Sequence, residues 1–239
     1  MTQTLAQICT EALEGVGVDS PGTFASGGDL GRQMVAIANG SIRDMTRRTD
    51  WQELRLEGTF TTLAAELQTV LSTDFPYYRK IIGDSMWNRT TQESVIGPLT
   101  PQAWQRIKSD DFTPSFPVYF LRADTIYFPG TPTAGETIYF EYIDKRAVAD
   151  SGGTPKERFT ADTDVPRLDD HALMLCVRWR FLQRKGLEYG EAFREYEDWI
   201  MLRQAENLPV SNLNMNPRST RWRGSSGEGD WLQGLTWNP

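Results

Sequence analysis

A chain of 239 residues is long enough for one large domain, or one domain carrying an insertion, and has ample length to bury a core. Its formal net charge of -7, with 32 acids against 25 Lys and Arg, argues against a nucleic-acid binder, which usually concentrates bases on one face. It excludes little else, because many soluble proteins are this acidic for solubility alone.

Residues 2 to 16 place Leu5, Ile8, Cys9, Ala12, Leu13 and Val16 at the spacing of one helical face, ending at Gly15 and Gly17. After a loop with Ser20-Pro21-Gly22 and Gly27-Gly28, Asp29 can cap a second helix whose apolar stripe is Leu30, Met34, Ile37, Ala38 and Met45. That helix should run to about Asp50, with Arg43, Arg47 and Arg48 at the end where bases suit the dipole.

From Trp51 the period changes to two. Leu54 to Thr62 and Leu67 to Ser72 alternate as strands do, and turn signals then come often between Thr73 and Pro101. Thr100-Pro101 opens a short helix with Ala103, Trp104 and Ile107 inward. Beyond Pro117 the pattern predicts a hairpin, Val118 to Arg122 and Thr125 to Phe128 around Ala123-Asp124, then a strand from Glu136 to Ile143. Residues 150 to 168 read as loop.

Asp169 to Glu206 holds two helices separated by Gly186. In the first, Ala172, Leu175, Cys176, Trp179 and Leu182 form one stripe, and Leu173, Met174, Val177 and Phe181 cover much of the rest, so several neighbours must cover it. In the second, Tyr189, Ala192, Phe193, Tyr196, Ile200 and Arg203 share a face, and Glu188, Glu191, Glu195 and Asp198 lie on the exposed side. The economical picture is α+β: a four-helix bundle built from residues 1–50 and 169–206, with a β-rich insertion at 51–168. Residues 207–239 have no period, yet carry three of the eight tryptophans. They read either as a tail, free or folded back on its own domain, or as an extended arm whose Arg218, Arg221, Trp222, Arg223, Trp231 and Trp237 anchor in a partner.

Chemistry is hard to find. The single histidine, His171, lies beside Asp169 and Asp170, an arrangement that can make a base, but no motif places a Ser or Cys nucleophile with it. Cys9 and Cys176 each fall on an apolar helical stripe and read as small buried side chains, compatible with a reducing compartment. No zinc site, cofactor loop or dinucleotide fingerprint is present in the pattern, so the expectation is a protein without cofactor or enzymatic activity. No apolar run of about 18 residues predicts a membrane span, and no secretion signal is visible, so the expected place of synthesis is a cytosol. Trp87 and Arg89, in Met86-Trp87-Asn88-Arg89, are the most distinctive polar-aromatic pair. They read either as a core or edge tryptophan with a surface base, or as part of a subunit contact.

The order of Asp50-Trp51, Asp74-Phe75, Met86-Trp87-Asn88-Arg89, Gly97-Pro98-Leu99-Thr100-Pro101-Gln102-Ala103-Trp104, Tyr139-Phe140-Glu141-Tyr142, Trp179-Arg180-Phe181-Leu182 and Lys185-Gly186-Leu187-Glu188-Tyr189 resembles the head-to-tail adaptors of tailed bacteriophages, a group that includes the podovirus tail tubular protein A. The likeness covers residues 1 to 206 and rests on loose, non-catalytic motifs. It implies a virion structural protein that forms a ring with itself, commonly of twelve copies, beneath the portal protein. Such a ring joins the portal to the next tail component, a nozzle or stopper, and leaves a channel through which DNA passes without specific binding. Glu188, Glu191, Glu195 and Asp198 are then candidates to face that channel. Alternatives are another connector ring, such as a stopper or tail-completion protein, or a cytosolic enzyme or cell-wall hydrolase with an unrecognised site.

Overall fold

The structure, a computed structural model, describes residues 2–110, 114 and 116–207. Thr4 starts the first helix, α1 (Leu5–Glu14): its hydroxyl accepts from the Gln7 amide while the Gln7 side chain accepts from the Thr4 amide. This reciprocal cap satisfies two donors that a helix start leaves open. Leu5, Ile8, Cys9, Ala12 and Leu13 are buried, as their spacing predicts. In α2 (Asp29–Arg48), Met34, Ile37, Ala38, Ile42 and Met45 are buried. Asp29 is not the cap expected of it. Gly28 takes that position, and Asp29 is the first helical residue, paired with Arg32 at 2.6 Å. Trp51 folds back beneath the end of α2, and its indole N–H donates to the Met45 carbonyl at 2.8 Å.

The middle of the chain runs β1 (Arg55–Thr61), β2 (Leu67–Val70), the one-turn helix α3 (Leu71–Asp74), β3 (Tyr78–Ile81), β4 (Trp87–Asn88), β5 (Glu93–Ser94) and α4 (Pro101–Asp110). There follow β6 (Phe120–Arg122), β7 (Thr125–Tyr127), β8 (Thr137–Asp144), β9 (Val148–Ala149), β10 (Pro155–Lys156) and β11 (Val165–Pro166). Strand β8 organises the largest sheet. β1 pairs with it antiparallel along its length, from Arg55 opposite Ile143 to Thr61 opposite Thr137, and β3 and β4 also pair with it. The expected hairpin is β6–β7, turning at Ala123 and Asp124 with φ of 46° and 60°, the backbone a tight two-residue hairpin requires. Two expectations shift. The second strand stops at Val70, where α3 begins and the Thr69 hydroxyl donates to Asp74. The stretch expected to be loop contains β10 and β11, which flank β9; two-residue strands are too short to show a period.

The chain closes with α5 (Asp170–Lys185) and α6 (Gly190–Asn207). Asp169 caps α5 by accepting from the Ala172 amide at 2.6 Å and also receives the Trp199 indole N–H. Gly186 ends α5 in the left-handed region, with φ of 69°. Eight α5 side chains are buried, among them the consecutive run Ala172 to Val177. The reason is that α1, α2 and α6 all pack on this helix.

One core joins Leu5, Ile8 and Leu13 of α1, Met34, Ile37 and Met45 of α2, the buried run of α5, and Tyr196 and Ile200 of α6. It continues into Ile143 and Val148 and so reaches the end of the sheet. A second core lies within the β region around Ile126, Ile138 and Phe140, and a third between α4 and the hairpin around Trp104 and Phe120, whose rings stack at 5.0 Å. The protein is therefore α+β with antiparallel sheets.

Polar clamps join the layers. Asn39 of α2 exchanges two hydrogen bonds with the Phe159 backbone, at 2.8 and 3.1 Å. Buried Asp144, at the end of β8, takes Arg146 at 2.9 Å and Arg167 at 3.1 Å, and Arg167 also donates to the Arg146 and Glu53 carbonyls. A buried carboxylate is retained at acceptable cost only when it is paired and hydrogen-bonded in this way.

Candidate functional site

A cleft of about 590 Å³ lies where α2 meets the β region. Its walls carry Ile42, Arg43, Thr46 and Arg47 from α2, Tyr78 and Arg79 from β3, Asp124 from the hairpin turn, and Lys145, Ala147, Glu157 and Arg158 from the segment after β8. Five cations face two acids on a chain whose net charge is -7. Two of the five are tethered: Arg79 donates to the Thr46 carbonyl and contacts Asp50 at 3.3 Å, and Lys145 donates to the Pro76 carbonyl at 3.3 Å. Arg43, Arg47 and Arg158 are exposed and form no ion pair among the described residues. Burial pulls the Arg79 guanidinium below its ordinary value, and neighbouring Arg47 adds to this while Asp50 opposes it. Like charges are thus gathered at a concave site, where low-dielectric walls strengthen their field.

The outer face of α6 has the opposite character. Glu191, Glu195 and Asp198 are exposed, and Glu188 precedes the helix with its carboxylate accepting from the Gly190 amide at 2.9 Å. Glu195 pairs with Arg178 of α5; Glu191 and Asp198 form no ion pair among the described residues, and Arg194 lies one turn from each along the helix. Met201 and Leu202 stand on the same side at 61% and 53% exposure. The expected inward face is met in part: Ala192, Tyr196 and Ile200 are buried and Arg203 reaches Asp169 at 3.0 Å, whereas Tyr189 precedes the helix and both it and Phe193, which Trp179 meets edge-on at 5.2 Å, stay exposed at the edge of the contact.

Trp87 lies on β4, opposite Tyr139 of β8 and Ser94 of β5, and stays 45% exposed. The Arg89 guanidinium sits 3.5 Å from the centroid of the Tyr139 ring and pairs with Glu57 at 2.8 Å. Trp87 and Arg89 are therefore together on the sheet surface, and the buried members of the motif are Met86 and Asn88.

His171 lies in the first turn of α5 with its ring edge-on to Trp199 at 4.6 Å, which makes it a packing residue of the α5–α6 contact. Cys9 and Cys176 are free and buried; burial, with Asp162 adding to it, pushes the Cys9 thiol up to about 12, and burial raises Cys176 as well. Such thiols are poor nucleophiles at neutral pH. Among the described residues, no group of three or more His, Cys, Asp and Glu is placed to hold a metal ion. No described helix is long and apolar enough to cross a membrane. Arg218, Arg221, Trp222, Arg223, Trp231 and Trp237 lie outside the described residues.

The basic cleft is the feature that sequence reasoning missed. Arg43 and Arg47 were explained by the α2 dipole, and nothing in the spacing brings Arg79, Lys145 and Arg158 to them. The chain matches no protein-family model and no curated protein.

Proposed function

We propose that this chain is a non-enzymatic structural protein of a tailed-phage virion, a head-to-tail adaptor. It forms a ring beneath the portal protein, joins it to the next tail component and leaves a channel for DNA. In this reading α1, α2, α5 and α6 act as a four-helix bundle, residues 51–168 as the insertion and residues 207–239 as an arm toward a partner. The protein is made in the host cytoplasm and works at the head–tail junction.

The observation that supports this best is the closure of one core by helices from both ends of the chain around a β-rich middle, the layout the ordered fragments from Asp50-Trp51 to Leu187-Glu188-Tyr189 imply. Fold-level likeness is an analogy. The surfaces add physical support: an exposed tryptophan on the sheet, an exposed acidic and apolar face on α6, and a basic cleft are features of a protein that works through contacts.

Native mass measurement of the purified chain, alone and with portal protein, tests the proposal. The expected result is a ring near twelve copies, about 326 kDa or twelve times 27.2 kDa, formed either alone or on meeting the portal. A stable monomer or dimer that ignores every virion component overturns it.

A further inference from the structure

We infer that the basic cleft between α2 and the β region is the socket for the acidic outer face of α6 of a second copy of this chain, so that copies join head to tail. This deepens the adaptor reading and rests on it, and it puts Glu191 and Asp198 in a subunit contact rather than facing the channel.

Charge complementarity is the first argument. Arg43, Arg47 and Arg158 lack ion-pair partners within the chain, as do Glu191 and Asp198, among the described residues. The cleft keeps an excess of cations over Asp124 and Glu157, and the α6 face an excess of acids over Arg194, so each is what the other needs. Exposed apolar surface on the plug is the second argument. Met201 and Leu202 stand uncovered one turn beyond Asp198 on the same helix, and because Ile42, Tyr78 and Ala147 are buried in the cleft floor, the aliphatic stems of exposed Arg43, Arg47 and Arg158 are what would meet them. An acidic peptide from an unrelated partner would match the charges, but this chain already carries charges and apolar groups together on one helix.

Placement is the third argument. α2 separates the two surfaces: its Asp44 and Arg48 reach Arg180 of α5 and Glu197 of α6, while Ile42, Arg43, Thr46 and Arg47 line the cleft. Socket and plug therefore lie on different sides of one helix. A contact between unlike faces is the kind that generates a closed ring when its rotation closes, whereas a contact between like faces stops at a dimer.

The test is a charge exchange. One variant carries Arg43→Glu and Arg47→Glu, so that both surfaces are acidic; the other carries Glu191→Arg and Asp198→Arg, so that both are basic. All four side chains are exposed, so circular dichroism and unfolding midpoints should match those of the unaltered chain. In sedimentation at low salt each variant alone should associate at least tenfold more weakly than the unaltered chain, and an equal mixture of the two should recover association by alternating. A milder pair, Arg47→Gln with Arg158→Gln, should weaken association about threefold and guards against misfolding of the reversals.

Rings that form from either variant alone, or a mixture that recovers nothing, overturn the socket while leaving the adaptor reading intact. A cleft variant that assembles normally but loses binding to a DNA duplex overturns it too, by showing that the cleft takes phosphates. An unaltered chain that stays monomeric with and without portal removes both readings.

Discussion

Gly58 of β1 stands directly opposite Phe140 of β8, and the Phe140 ring lies over it so closely that a Cβ on Gly58 would fall 2.7 Å from the ring Cζ. The same Cβ would fall 2.9 Å from Phe75, which meets Phe140 edge-on at 5.1 Å. The glycine thus makes room for an aromatic cluster in the centre of the sheet.

Gly58→Ala should therefore destabilise, although alanine suits most extended backbones better than glycine. Phe140 is also held by Phe60 and Tyr142 and cannot simply swing away. Overpacking of this kind costs about 1–3 kcal/mol, and the thermal midpoint should drop by several degrees. An unchanged midpoint would mean that the cluster has slack.

Acid should loosen the loop between β10 and β11, and with it the backbone contact to the start of α1, through Asp164, whose carbonyl accepts from the Leu5 amide at 2.8 Å. Burial raises its carboxyl, but Lys156 and the amides of Thr160 and Ala161 outweigh this and hold it below its ordinary value. A depressed native value means that the stabilisation is whole above the unfolded value, near 3.9, and fades as pH falls through the native one. Asp164→Asn should lower the unfolding free energy obtained from urea titration at pH 7 by about 1–3 kcal/mol, and flatten its fall below pH 4. A variant that keeps the full acid sensitivity would assign it elsewhere.

Neither thiol should react in the native state at neutral pH. Cys9 and Cys176 are buried and shifted upward, so an aromatic disulfide reagent should label both only after denaturant is added. Rapid labelling of the folded chain would show that the helical core opens.

The chain should tolerate a cut after Asn207 but not much before it. Asn207 accepts from the Gln52 amide at 2.9 Å and donates to the Asp50 carbonyl at 3.0 Å, tying the end of α6 to the start of the β region. Ending the chain at Asn207 should leave the unfolding midpoint nearly unchanged and abolish portal binding; so should replacing Trp222, Trp231 and Trp237 together by Ala. A midpoint several degrees lower would make those tryptophans core residues.

The helices were legible because their period is local. Leu5, Ile8, Cys9, Ala12 and Leu13 announce their shared face within ten residues, and Asp169 and Gly186 mark both ends of α5. The hairpin was legible from Ala123-Asp124, where the turn chemistry is also local. The cleft was not, because Arg43, Arg79, Lys145 and Arg158 come from segments far apart in sequence and only the antiparallel pairing of β3 with β8 brings two of those segments together. Strands β10 and β11 escaped for a different reason: two residues carry no alternation to read.

Because α5 completes the core begun by α1 and α2, those first helices must wait for it during synthesis. About 120 residues separate Arg48 from Asp170, which at ribosomal speeds of roughly 5–20 residues per second is a delay of roughly 6–24 s. For that interval Met34, Ile37 and Met45 have no α5 to cover them. The nascent chain is at its stickiest early, and its solubility is decided by sequence that has not yet been translated.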